Sequence, residues 1–241
     1  MKIEANLTES TKVLKASIEA EDVKIIFDID PNLATWEAWW HRNDLGQIIP
    51  EFEITANSEI PNPSALAHEL LHARLDLDGF RVPLAVTCQL YGYPIQLSPE
   101  YLDGCYNNLE HHFMVTKFED LGFEKRDFFQ RPIELQLDEV RQTIEELYLL
   151  EVKNSPEFVA HYIDAIIHLQ LLQSYFSECI DPSIDLKCLS TLEPELFEVI
   201  NNTLANWLAN NEPSGEKFFL PLHDKLCEYF RTAHPGVEIS L

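Results

Sequence analysis

Asn62-Pro63-Ser64-Ala65-Leu66-Ala67-His68-Glu69-Leu70-Leu71-His72-Ala73-Arg74-Leu75-Asp76-Leu77-Asp78-Gly79 is the stretch on which the fold turns. Asn62 offers a side-chain acceptor to first-turn amides, Pro63 suits the first helical position, and Gly79 suits a stop. Together they predict a helix from about 63 to 77. Within it His68-Glu69-Leu70-Leu71-His72 spells HExxH. At about 100° per residue, with His68 at zero, His72 falls near 40° and Glu69 near 100°, while Leu66, Leu70, Ala73 and Leu77 fall between about 140° and 200°. One face carries donors and the other carries core.

Working outward, Val13, Leu14 and Ile18 stand at helical spacing behind Thr8 and predict a helix over 8–20, followed by a strand at 23–27. Residues 50–55 alternate Phe52 and Ile54 with Glu51, Glu53 and Thr55, a half-buried strand whose Pro50 favours a sheet edge. Trp36, Trp39 and Trp40 form an aromatic cluster between the two strands, with core as the expected place. Ser98-Pro99-Glu100 opens a second helical pattern running towards Gly122, which Gly104 is expected to divide. Residues 80–97 are ambiguous. Beyond 132 no strand is predicted, and helices are expected over 134–152, 156–178, 193–210 and 215–231, with a turn at Asn210-Asn211-Glu212-Pro213. The expected class is α+β: a mixed α/β half over 1–125 carrying the HExxH helix, then a mainly helical half over 126–241, packed as one unit.

The chain has 241 residues and a formal charge of −24, from 17 basic and 41 acidic side chains, with 46% hydrophobic residues. That hydrophobicity argues against disorder. Its few, scattered cations argue against nucleic acid and anionic membrane surfaces as partners. No apolar run reaches the length of a span, and Met1-Lys2-Ile3-Glu4 continues into polar residues, so a cytoplasmic protein is expected. Cys88, Cys105, Cys179, Cys188 and Cys227 have neither a metal-pair nor a disulfide-framework spacing and read as mostly buried thiols.

Two imidazoles one helical turn apart can share a Zn²⁺. The neighbouring Glu69 then stands where it can take a proton from a metal-activated water. The motif with its uncharged neighbours Leu66, Leu70, Leu71 and Ala73 resembles the zincin metallopeptidases over roughly residues 45–121; Arg74 departs where a hydrophobic residue is usual. The resemblance implies a zinc-dependent metallohydrolase acting on peptide or protein substrates. In its gluzincin class the third ligand is a glutamate on a downstream helix, and Glu110, 110 − 72 = 38 residues after His72, is the candidate. It also implies an edge strand before the motif that pairs with extended substrate, a place that Glu51–Thr55 fits as well as an ordinary core strand does.

His111 has three readings: it replaces Glu110 as ligand, donates to the oxyanion of the tetrahedral intermediate, or packs at the site's edge. Some gluzincins carry an aspartate four residues after the ligand glutamate; here that position is Met114. Support for the ligand imidazoles falls instead to Asn107, Asp103 or Asp76, with Tyr106 on the same helical face as Glu110. His112, on the opposite face with Asn108, is expected to meet solvent. A metzincin would need Gly at position 75 and a ligand at 78, where the sequence has Leu75 and Asp78. A deformylase would need a cysteine upstream of the motif, and all five lie downstream. His161 and His168 are expected to be half-buried packing residues, His41, His223 and His234 have no visible ligand partners, and Glu145-Glu146 is expected to be a solvated helix face. The alternatives to a peptidase are a regulatory or protein-interaction protein that keeps a structural metal site, and a helical interaction protein whose motif is accidental.

Overall fold

The computed structural model describes residues 7–43, 45, 47–58, 62–80, 86–90, 93–97, 99–150, 155–210 and 214–233, with backbone only for 86–90, 93–96, 99–101 and 233. Thr8 caps α1 (Glu9–Glu19), its hydroxyl accepting from the Thr11 amide at 3.2 Å. Three strands follow: β1 (Lys24–Ile29), β2 (Glu37–Arg42) and β3 (Ile48–Ala56). They form one mixed sheet in the order β1-β3-β2, with β1 parallel and β2 antiparallel to β3. Phe27, Phe52 and Ile54 are buried on the side that meets α1 and the next helix, α2 (Pro63–Leu77).

The sheet corrects one expectation. Glu51–Thr55 is not an edge, because β3 is the central strand and pairs through these residues with β1 on one side and β2 on the other. Pro50 is tolerated there for a local reason. Pairing with β1 begins only at Glu51, and the ladder to β2 is irregular between Trp40 and Arg42, so no regular bond is required of its missing N–H. The tryptophans that read as a cluster flank and occupy the unpredicted strand β2: Trp36 just before it is buried, Trp39 is exposed, and Trp40 packs edge-on against Phe52 at 5.0 Å.

α2 forms where the sequence places it. The Asn62 side chain accepts from the Ser64 amide at 3.1 Å, and the chain leaves the helix through Gly79 at φ +99°, a conformation that costs glycine little.

Contacts divide the chain into two units, and neither is continuous in sequence: residues 1–79 with 113–132, and 80–112 with 133–241. The boundary expected near 125 therefore falls inside the first unit. The division passes through α3 (Pro99–Asp120), which runs unbroken. Gly104 does not interrupt it. A Cβ at that position would lie 3.2 Å from the carboxylate of Asp164, so the glycine is what allows that approach. Burial raises the pKa of Asp164, and an amide bond from Asn108 Nδ2 to its Oδ1 at 2.8 Å and the charge of His161 act against that rise.

The second unit holds a two-stranded antiparallel pair, β4 (Val86–Leu90) and β5 (Tyr93–Leu97), within the stretch that gave no prediction. Its other elements are the N-terminal part of α3, then α4 (Ile133–Leu149), α5 (Pro156–Phe176), α6 (Ser183–Leu192), α7 (Pro194–Asn210) and α8 (Gly215–Ala233). No strand occurs after residue 132 among the described residues. α6 was not foreseen. Ser155 and Pro156 open α5 as expected, the Ser155 hydroxyl accepting from the Phe158 amide at 3.1 Å.

His112 is a second correction. It is 3% exposed, and its ring meets Tyr175 at 5.9 Å and Trp207 at 6.4 Å. Its backbone carbonyl accepts from the Tyr175 hydroxyl at 2.8 Å. The face shared by Asn108 and His112 packs on α5 instead of meeting water: Asn108 bonds Asp164, and the His112 ring lies against Tyr175. Burial pushes the imidazoles of His112 and His168 down to about 4, with the Ile167 backbone opposing the shift at His112 and His112 itself adding to it at His168. His168 is half-buried, His161 is exposed, and Glu145 and Glu146 are exposed as expected. Of the four cysteines described, only Cys105 is buried. No described helix is long and apolar enough to cross a membrane. Met1–Glu4, Ser98, Asn211–Pro213 and His234 lie outside the described residues.

Two outcomes follow from these contacts. Gly104→Ala gains helix propensity, by roughly 1 kcal/mol on an open face, yet here it is expected to lower the urea midpoint, because the Asn108-held carboxylate has nowhere to retreat. Both imidazoles bind protons more weakly folded than unfolded, where the value is about 6.5, so stability falls as pH drops through the window from about 6.5 to about 4. Urea midpoints measured across that window should show a shallower fall in His168→Leu than in the wild type.

Candidate metal centre

α2 has little exposed surface in its first turns: from Ser64 to Leu71 every residue is buried. Leu66, Leu70 and Ala73 are fully enclosed on the core side, as the helical angles require. The opposite side buries His68 at 6% exposure and Glu69 at 5%, with His72 half-buried one turn on. Burial pushes the His68 imidazole far below its ordinary value; the neighbouring His72 pushes the same way, and the Phe128 backbone opposes. Both effects favour the neutral ring, which is the form that binds metal.

The two Nε2 atoms stand 3.2 Å apart. With Zn–N bonds of about 2.05 Å and a tetrahedral angle, two imidazole nitrogens on one zinc would be separated by about 3.3 Å. The same separation suits a proton shared between two neutral rings, so the pair is satisfied with or without a cation.

The segment after α3, within the first unit, builds the wall of this pair. A short 3₁₀ turn, Lys125–Asp127, delivers Phe128, which is fully buried, to the His68 ring at 4.6 Å; Phe128 also meets Phe118 of α3 edge-on at 5.4 Å. Two residues on, Gln130 Nε2 donates to Glu69 Oε1 at 2.8 Å and to the Trp36 carbonyl at 3.3 Å, while its Oε1 accepts from the Trp36 amide at 2.6 Å. That network fixes the amide's orientation, since a flipped group would aim oxygen at two acceptors. Farther along α2, Asp76 accepts from the Trp40 indole N–H, and Asp78 accepts from Arg74 and, at 2.8 Å, from Lys117 Nζ of α3.

The remaining expected site residues all lie on α3. Glu110 is half-buried; His111 is buried at 4% exposure; Asn107 and Asp103 are exposed; Tyr106 is buried with its ring against Phe219 of α8 at 5.0 Å, and burial raises its hydroxyl pKa. Asp76, expected to support an imidazole, accepts from the Trp40 indole N–H. Phe128 and Gln130 were not foreseen. They sit in Phe128-Phe129-Gln130-Arg131-Pro132, which has no periodicity and no motif spacing, and a glutamine beside two aromatic residues is the one cue the sequence offers.

Comparison with protein-family models gives no match. Comparison with curated proteins gives none, and comparison with solved structures gives none either.

The division of α2 into a core side and a donor side has a measurable consequence. Leu70→Ala is expected to cost about 2–5 kcal/mol in urea unfolding, the range for an enclosed leucine, whereas His72→Ala, at a half-buried position, costs less than half as much in metal-free protein.

Proposed function

We propose that this chain is a zinc-dependent metallohydrolase, with peptide-bond hydrolysis as its reaction, and that its first unit carries a zincin-like HExxH site. One observation supports the metal reading above the rest. The Nε2 atoms of His68 and His72, one turn apart on α2, stand 3.2 Å from each other, close to the separation of two imidazole nitrogens on one zinc. The zincin resemblance implies Glu110 as the third ligand, with His111 as the alternative. Either one completes three protein ligands in the manner of a catalytic site that keeps a fourth position for water or substrate.

When bound, the cation would polarise a substrate carbonyl and acidify a water molecule. The protein's own part falls to three groups. His68 and His72 supply nitrogen donors from one rigid helix whose far side is core, which limits their movement. Glu69, adjacent to His68 and walled from bulk water, takes the proton from the attacking water and returns it to the departing amine nitrogen.

A second reading is supported by the burial of Glu69 and its bond to Gln130: a regulatory or interaction protein whose metal is structural. Metal content and turnover separate the two. Elemental analysis of untagged protein should give about one zinc per chain in the wild type and in Glu69→Gln, and much less in His68→Ala, in His72→Ala and in one of Glu110→Ala and His111→Ala. Hydrolysis of fluorescein-labelled casein should disappear in Glu69→Gln. Bound zinc without hydrolysis in the wild type would establish the structural reading, and no zinc after reconstitution would end both.

A further inference from the structure

We propose that Gln130 is the positioning residue of the Glu69 carboxylate, holding it in one orientation by tying it to the backbone at Trp36. The inference rests on the reading of Glu69 as proton carrier, but the contact that carries it stands apart from any metal. A carboxylate 5% exposed needs hydrogen-bond donors, because an unpaired buried charge is costly. Gln130 supplies one at 2.8 Å to Oε1. The donor is itself immobilised: its oxygen accepts from the Trp36 amide at 2.6 Å, and its second N–H reaches the Trp36 carbonyl at 3.3 Å. Trp36 is buried and leads directly into β2. The amide thus mimics one rung of a strand ladder towards Trp36 and spends its remaining proton on Glu69.

Neutrality matters as much as reach. A lysine or arginine in this place would form an ion pair and hold the carboxylate more tightly than a proton carrier can use, whereas an amide orients it through a single bond. Position matters too. Phe128, two residues earlier, lies against the ring of His68, so one short segment touches both members of the His68-Glu69 pair and sets them relative to each other.

Two variants divide the amide's roles. Gln130→Met keeps length and loses every bond. Gln130→Glu keeps an acceptor for the Trp36 amide and replaces the amide donor by a second carboxyl that must share a proton with Glu69. In metal-free protein the Trp36 amide should exchange with solvent faster in Gln130→Met and at the wild-type rate in Gln130→Glu. Urea midpoints of Glu69→Leu, Gln130→Met and the double variant should be non-additive, the double losing less than the sum, because the two single variants break the same bond. In zinc-loaded protein both Gln130 variants should keep their metal and the KM for casein while kcat falls about 10- to 100-fold, the usual cost of removing a group that orients a site residue. Additive midpoints would overturn the assignment of Gln130 whatever the metal content. Unchanged kcat in a wild type that hydrolyses casein through Glu69 would also overturn it. Absence of zinc or of hydrolysis in the wild type would instead count against the proposed function, with the midpoint cycle still deciding the contact.

Discussion

A carboxylate and an imidazole side by side in the chain, both nearly excluded from water, impose the main constraint on the first unit. Neither group can be buried at Glu69 and His68 unless other parts of the chain bring polar partners and a wall to them. Leaving such a carboxylate unpaired would cost about 3–5 kcal/mol, a large share of what holds a domain folded. Gln130 meets the carboxylate, Phe128 walls the imidazole, and Trp36 holds Gln130 in place. The sheet and α1 supply the apolar floor that makes α2 rigid, while the segment beyond α3 supplies its polar roof.

The second unit solves a comparable problem differently. It brings Asp164 against a glycine and an asparagine of α3, and it encloses His112 between two aromatic residues. Burial there pushes the pKa of Asp164 up and those of the imidazoles down, each in the direction of the uncharged form, while the Asn108 bond opposes the rise at Asp164.

Local chemistry made much of this legible in the sequence. Asn62, Pro63 and Gly79 bound α2 at both ends, and the alternation of Phe52 and Ile54 marks β3, because caps and period-two patterns depend on neighbours within a few residues. β2 was hidden because it alternates tryptophan with tryptophan: Trp39 faces out and Trp40 faces in, so apolar residues fall on both sides of the strand. α6 lacks a side-chain cap and is separated from α7 by one residue, Glu193, which merges their patterns. Pro50 suggests an edge, yet β3 is central because the ladder irregularity accommodates the proline; the helical face opposite Glu110 suggests solvent, yet aromatic packing closes it over His112. At the candidate site, the helix-borne half was visible as a motif, while Gln130 is invisible from sequence because its partners lie 61 and 94 residues away.

That separation bears on how the protein is made. The first unit takes its last residues, 113–132, from beyond the opening segment of the second. During synthesis α2 leaves the ribosome well before Phe128 and Gln130 do, so the sheet and α1 can gather around its apolar side while its other side still faces water. For roughly fifty residues of translation, at about 5–20 residues per second, His68 and Glu69 stand open on the side that the finished fold covers. Closure then comes with a segment whose bonds to Trp36 and Glu69 span 94 and 61 residues of chain.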